Sequence, residues 1–444
     1  MTGAPGDLPS TFRVEDVAVA SVAAALRAAS LLQAGRTGRP AQRLSVDRRH
    51  IAAAVRSERA FRREGSAPGG AGFAPLSRFW RTADGWVRTH ANYPWHRTAL
   101  AAALGTADDA DAVMVADALA GRRGADVEEA VVAAGGVAGR VRSLAEWAEH
   151  PQGKAVASEP LVGHERLGDA APRRLPASAL PAGGTRVLDL TRVIAGPVCT
   201  RYLAALGADV LRLDPPHRPD LPQGHPADTL LGKRSALLDL RTAAGRRELD
   251  ALLTDADVVV TGYRPGALDP YGLDPATLAH DHPGIVTVHL AAWGHTGPWA
   301  GRRGFDSIVQ APSGIALGES VDGEEPGALP CQLLDHATGY LAAAAALDGL
   351  RRQAEEGGSH VRRVSLARTA WWLTGAGRDD PHAAPPEDGA TEPWLTTVEG
   401  PTGRMGAVLP PGSLGDRRLT WPGPTTTYGA DLPSWRGGTV GPRR

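Results

Sequence analysis

The chain has 444 residues, more than one ordinary hydrophobic core accommodates, which implies at least two lobes. Hydrophobic residues make up 42% and charged residues 22%, the balance of a folded globular chain and not of a disordered or collagen-like one. With 48 basic against 49 acidic residues the net charge is -1, so no overall field exists to hold nucleic acid or an anionic membrane, and any anionic ligand must be met by local groups.

In chain order, the most apolar N-terminal stretch, 17–33, follows Glu15 and Asp16 and is interrupted by Arg27. It lacks a basic leader and is too short to span a bilayer, and so predicts an Ala-rich helix. In FWRTADGWVRTHANYP, Ala83-Asp84-Gly85 predicts a hairpin turn between short strands. The Pro-rich run APRRLPASALPAGG, 171–184, is a linker that closes a first region, 1–180. Beyond it strands and helices alternate as in a Rossmann-like parallel α/β sheet: strand 187–190, helix 196–206, strand 208–213, helix 242–254, strand 258–261 and strand 285–290. This 185–375 region is the expected large domain, with its ligand crevice at the carboxyl ends of the strands. From 376 to 444 the chain is rich in Pro and Gly and predicts an extended arm, with a disordered tip at 379–392. A weak internal echo, a Ser-centred strand running into a helix, links the segments around Ser45 and Ser365.

Several chemistries lose their signatures. The turn TRVIAGPVC carries one Gly where a dinucleotide fingerprint needs three. GHPADTLLGKRS has the wrong Gly spacing for a phosphate loop, and Arg234 separates Lys233 from Ser235. There is no His-Glu-x-x-His helix and no Gly-x-Ser-x-Gly elbow. Cys199 and Cys331, the only cysteines, argue against disulfides and zinc and fit a reducing cytoplasm; the 14 His residues are scattered and predict no metal site.

What remains is specific. RVLDLTRVIAGPVCTRYLAALGADVLRLD, then GKRSALLDLRTAAGRRELDALLTDADVVVTGYRPGALDPYGLD, then VHLAAWGHTGPWAGRRGFDSIVQAPSGIA closely resemble the large domain of family III CoA-transferases, the CaiB/BaiF type. The resemblance implies that family's α/β fold, and it implies coenzyme A or an acyl-CoA as a substrate with no permanently bound cofactor or metal. At matched positions it implies CoA contacts from Val193, Ile194, Leu238, Asp239, Leu240, Arg241, Gly262, Tyr263, Arg264, Arg303 and Phe305. Ile194 stands in place of a common Gln, Gly262 of the usual Asn and Pro270 of a frequent Arg. Independently of the family, an Arg after a strand can grip phosphate, although a solvated Arg is commoner. An aromatic before Pro-Gly is more often a turn anchor than a base platform.

In ALPCQLLDHATGYLAAAAALDGLRRQAEEGG, Asp335 stands where a long Ala-rich helix begins, and residue chemistry alone reads it as an N-cap for the backbone donors of His336 to Thr338. The resemblance makes it the covalent nucleophile, kept ionised by helix-end donors. Gly339, costly inside a helix, implies that something approaches its backbone closely.

The implied reaction moves CoA from an acyl-CoA to a carboxylic acid through an aspartyl-CoA thioester. Two alternatives stand beside it. One is an acyl-CoA racemase of the same superfamily, whose His position is here Phe305, which cannot move a proton. The other is a non-catalytic CoA-binding scaffold. TADGWVRTHANYPWHRTALAAALG and VEEAVVAAGGVAGRVRSLAEWAEHPQGK resemble the family's smaller α+β domain, and VLPPGSLGDRRLTWPGPTTTYGADLPSW its returning arm, which implies a permuted or a duplicated-and-trimmed domain order with the echo around Ser45 and Ser365 at the repeated joint. The resemblance also implies an interlocked homodimer. EGSAPGGAG, with Gly65 to Gly72, is a candidate lid on that resemblance, although a plain flexible loop is the commoner reading of such a run.

Overall fold

The computed structural model of the protein describes residues 1–3, 6–66, 72–379 and 391–436. The candidate lid lies largely outside these residues, as does most of the expected tip at 379–392.

A seven-stranded sheet organises the structure. Its spatial order is Gly163–Leu167, Ser359–Ser365, Val286–Ala291, Val258–Thr261, Arg186–Leu190, Asp209–Asp214 and Arg234–Leu237. Every neighbouring pair is parallel except the edge strand Gly163–Leu167, which runs antiparallel to Ser359–Ser365. The apolar runs of the central strands follow from burial on both faces. Val258 and Val260 belong to one core and Val259 to another, so alternate residues face opposite layers. The expected strands and helices of the 185–375 region are present within about two residues at each end, as is usual for boundaries read from a sequence.

The main core lies on one face and draws on the whole chain, from Leu8 through Leu373 to Leu419. At its centre the helix Leu333–Glu356 packs against the helices Val14–Thr37 and Ala195–Ala205. The helix Val14–Thr37 exceeds the predicted 17–33 and corrects the sequence reading of its length: it is long and apolar enough to cross a membrane by length and composition alone, yet Val17, Val22, Leu26 and Ala29 are buried in this core. On the opposite face a second core closes around Leu188, Leu211, Val259 and Trp435.

A smaller α+β layer has its own core. Strands Phe79–Thr82, Gly85–Thr89 and Ala138–Arg140 form an antiparallel sheet packed by helices Pro94–Leu104, Ala112–Ala120 and Gly124–Ala133. Thr82 pairs with Gly85, which leaves Ala83-Asp84 as the expected turn. This layer docks on the helix Asp306–Gln310, where the Arg142 N–H donates to the Ala311 carbonyl at 3.1 Å. The C-terminal arm is tied down by short pairings, Met405–Val408 against Arg62–Arg63 and Ser413–Leu414 against Leu44–Ser45.

Candidate active site

The strand order reverses about Arg186–Leu190, and there a cleft of about 370 Å³ opens at the carboxyl ends of all six parallel strands. Each strand end supplies wall residues: Arg192 and Val193, Asp214, Leu238 to Arg241, Gly262 to Arg264, Leu290 to Ala292, and Leu366. Arg303 and Phe305 come from the segment before the helix Asp306–Gln310, and Asp335 lies at the floor. Of the expected site residues only Ile194 is absent from the wall; it packs against the main core.

Asp335 departs from its sequence reading in two ways. The helix starts at Leu333 with Gln332 at its N-cap, so Asp335 is inside the first turn and does not cap it. The apolar pair Leu333-Leu334 is buried at 0% exposure and extends the helix backwards. Nor is the carboxyl held ionised by helix-end donors. Burial, with the neighbouring carboxylates of Asp306 and Glu58, holds its pKa well above the usual range. No described residue donates a hydrogen bond to it. Its backbone N–H instead donates to Asp306 Oδ2 at 3.0 Å. The Asp306 carboxyl, fully buried, is pushed up to about 6 by desolvation, against the backbone donor from Asp335 and the Gln310 side chain.

His336 is turned away from the cleft: its Nε2 lies 3.1 Å from Glu58 Oε2. Gly339 meets the close approach that its sequence implied. A Cβ there would stand 2.5 Å from the Ala195 carbonyl and 2.8 Å from Val198 Cβ, so the helix Ala195–Ala205 can seat its first turn beside Asp335 only over a glycine.

The mouth is cationic. Arg192, Arg218, Arg241, Arg264, Arg302 and Arg303 all line it. Arg241 is engaged bidentately by Asp239, at 2.9 and 2.8 Å. Arg264 and Arg303 bond only to the carbonyls of Gly301 and Gly135, and neither has a carboxylate partner among the described residues. Burial pushes the Tyr263 hydroxyl up to about 12, so the ring is a neutral wall against the second core. At Gly262 a Cβ would press Thr191 Cβ at 3.3 Å, which fits the absence of a side chain there.

Two features were not singled out in the sequence. Tyr93, Trp95 and His96 reach the wall from the smaller layer, where Pro94 opens a helix. Tyr93 and Trp95 stack at 4.7 Å, with Arg192 over both rings and Arg218 over Trp95. Phe305 is stacked on His90 at 3.7 Å. The second feature is Asp220. It accepts from Tyr93 Oη, from Val193 N at 3.1 Å and from Arg212 Nη2 at 2.7 Å, while its own N–H donates to Tyr428 Oη at 3.0 Å. Val193, at φ 65°, is the one non-glycine left-handed residue described, a conformation that costs a β-branched side chain and clusters at functional sites.

A sequence comparison now matches residues 183–390 to CoA-transferase family III. The chain carries a CoA-transferase family III domain. Within that domain fall all the expected contacts and Asp335, whereas Tyr93, Trp95 and His96 are outside it. Among relatives, the acetyl-coenzyme A transferase nodX of Hypoxylon pulicicidum is 38% identical over 44% of this chain and 33% of its own length. A probable fatty acyl-CoA transferase of Mycobacterium tuberculosis is 33% identical over 42% and 51%. The succinyl-CoA–D-citramalate CoA-transferase of Chloroflexus aurantiacus is 30% identical over 42% and 49%. The chain thus spans a third to about half of the length of these relatives. An orthorhombic crystal structure of the M. tuberculosis protein is similar with a TM-score of 0.41, at 32% identity over 44% of this chain and 58% of that one.

Proposed function

We propose that the protein is a CoA-transferase that moves CoA from an acyl-CoA to a carboxylic acid, with Asp335 as its covalent nucleophile. The observation that carries this reading is a buried carboxyl, to which no described residue donates a hydrogen bond, on the floor of a cleft lined by all but Ile194 of the residues matched to the family's CoA contacts.

In the first step the Asp335 carboxylate attacks the donor thioester carbonyl, forming a mixed anhydride and expelling CoA thiolate. The thiolate then attacks the aspartyl carbonyl, releasing the donor acid as its carboxylate and leaving aspartyl-CoA thioester. An acceptor carboxylate runs the same two steps in reverse and regenerates Asp335. The arginines at the mouth hold the polyanionic end of CoA, so binding energy from that remote part positions the thiol. Because like charges and burial disfavour the Asp335 carboxylate, it gains most from becoming a neutral acyl derivative.

The test is intact-mass analysis after incubation with a panel of acyl-CoAs. A hydroxylamine-sensitive CoA adduct that maps to Asp335 and is absent from Asp335→Asn is the expected result. Exchange of α-deuterium without an adduct would mark a racemase instead, and CoA binding with neither would mark a scaffold. The homodimer and cytoplasmic location belong to the same proposal; sedimentation at twice the chain mass checks the first.

A further inference from the structure

Far from the cleft, the edge strand Gly163–Leu167, the strand Ser359–Ser365 and the C-terminal end of the helix Leu333–Glu356 meet. Three potential ligands converge there: His164, His360 and Glu356, with one donor atom from each lying within 4.8 Å of the others. His164 Nε2 and His360 Nδ1 are 3.0 Å apart. Two nitrogens bound at 2.0 to 2.1 Å to one tetrahedral ion stand roughly 3.3 Å apart, so this pair needs little adjustment to share a metal.

We propose that His164, His360 and Glu356 form a binding site for a divalent ion of the zinc class, with a fourth position left to water. His360 is already oriented for the task. Its Nε2 lies 3.1 Å from the Gly357 carbonyl, and a proton donated there leaves the Nδ1 lone pair facing His164. A backbone carbonyl holding the far nitrogen is the usual outer-shell support of a ligating imidazole. His360 is fully buried, whereas His164 and Glu356 are exposed and free to close on an ion arriving from solvent. Glu356 now pairs with Arg352 at 3.1 Å, and its release would not strand that guanidinium, which also bonds Asp348 at 3.0 Å. Arg362 is likewise paired with Asp348, and the Arg166 guanidinium donates to the Gly357 carbonyl at 3.2 Å and to the Glu356 carbonyl at 3.3 Å.

Along the helix, Glu356 is about 31 Å from Asp335, so the ion would take no part in acyl transfer. Its effect would be to pin the sheet's antiparallel edge, just ahead of the Pro-rich linker, to the end of the helix that carries Asp335.

The experiment is titration of the untagged, metal-free full chain with Co²⁺, followed by visible absorption and then by competition with Zn²⁺. The expected result is one equivalent bound with tetrahedral d–d bands, a Kd on the order of 1 µM or tighter, and displacement by Zn²⁺. His164→Ala, a change at an exposed strand position, and Glu356→Gln should each weaken binding about 10- to 100-fold while leaving the circular dichroism and CoA binding unchanged. Absence of bands, binding weaker than about 100 µM, or equal affinity in His164→Ala would overturn the site and leave the two imidazoles as a hydrogen-bonded pair.

Discussion

Asp335, the proposed nucleophile, is also a source of instability. Its folded pKa lies above the unfolded value near 3.9, so the native state binds the extra proton, and stability is lost as pH rises from that value up to the folded pKa. Asp335→Asn removes this penalty. It should abolish adduct formation yet raise stability by about 0.5–2 kcal/mol at pH 7, with the Tm gap to wild type closing as pH falls towards 4. Asp306 sets the same balance from the other side. Asp306→Asn keeps an acceptor for the Asp335 N–H but removes the like charge, so the acid limb of the pH–rate profile should move to lower pH. Behind the cleft wall, Asp220 is the clamp on Val193. Asp220→Asn should raise the KM for acyl-CoA several-fold with kcat little changed, and Val193→Gly, which removes the cost of the left-handed backbone, should reduce that effect.

The residue scale is also where sequence reading was most uneven. Asp335, Arg241, Tyr263 and Arg303, all of which line the cleft, were legible only through the blocks that resemble the family; local order alone reads Asp335 as a helix cap and Arg241 as a solvated Arg. Tyr93, Trp95 and His96 carry no such mark: a hydrophobic hairpin and a Pro-initiated helix look the same whether or not the fold swings them into a cleft whose other walls begin about a hundred residues later. The His164–His360 contact is invisible for the same reason, since it depends on an antiparallel register between strands on either side of the sheet-forming region.

Among elements, the parallel strands were legible because burial on both faces writes continuous apolar runs such as Val258–Thr261, framed by turns. Helix starts were less so. Asp335 looked like a cap because Asp is a favoured N-cap, but tertiary burial of Leu333 and Leu334 won over that local preference. The crossing of Leu333–Glu356 over Ala195–Ala205 rests on Gly339, and the Ser365 end of its neighbouring strand caps the helix Leu366–Gly375 in the ordinary way. Gly339→Ala would gain about 1 kcal/mol in helix propensity, but its Cβ would face a backbone oxygen at 2.5 Å. The expected net result is destabilisation by about 1–3 kcal/mol in denaturant melts, with a raised KM for acyl-CoA as the Ala195 turn is displaced.

For the whole molecule, the family match from 183 to 390 does not coincide with a self-sufficient core. The helix that carries Asp335 is covered on one side by Val14–Thr37, and Trp435 fills the far face of the sheet. A fragment of residues 183–390 should therefore be insoluble or bind the dye ANS as a loosely packed state, and should fail to retain CoA on an affinity matrix; a cooperative melt and normal CoA binding by that fragment would contradict this assembly.

The contact between Val14–Thr37 and Leu333–Glu356 also sets a schedule for synthesis. The first helix leaves the ribosome about 300 residues ahead of its partner, and at 5–20 residues per second that is a wait of roughly 15–60 s. During that interval its apolar stripe is bare, on a segment whose length and composition match those of a membrane span. Nascent chains should accordingly be held by a ribosome-associated chaperone, and slowing translation between residues 37 and 333 should lower the soluble yield without altering the protein that does fold.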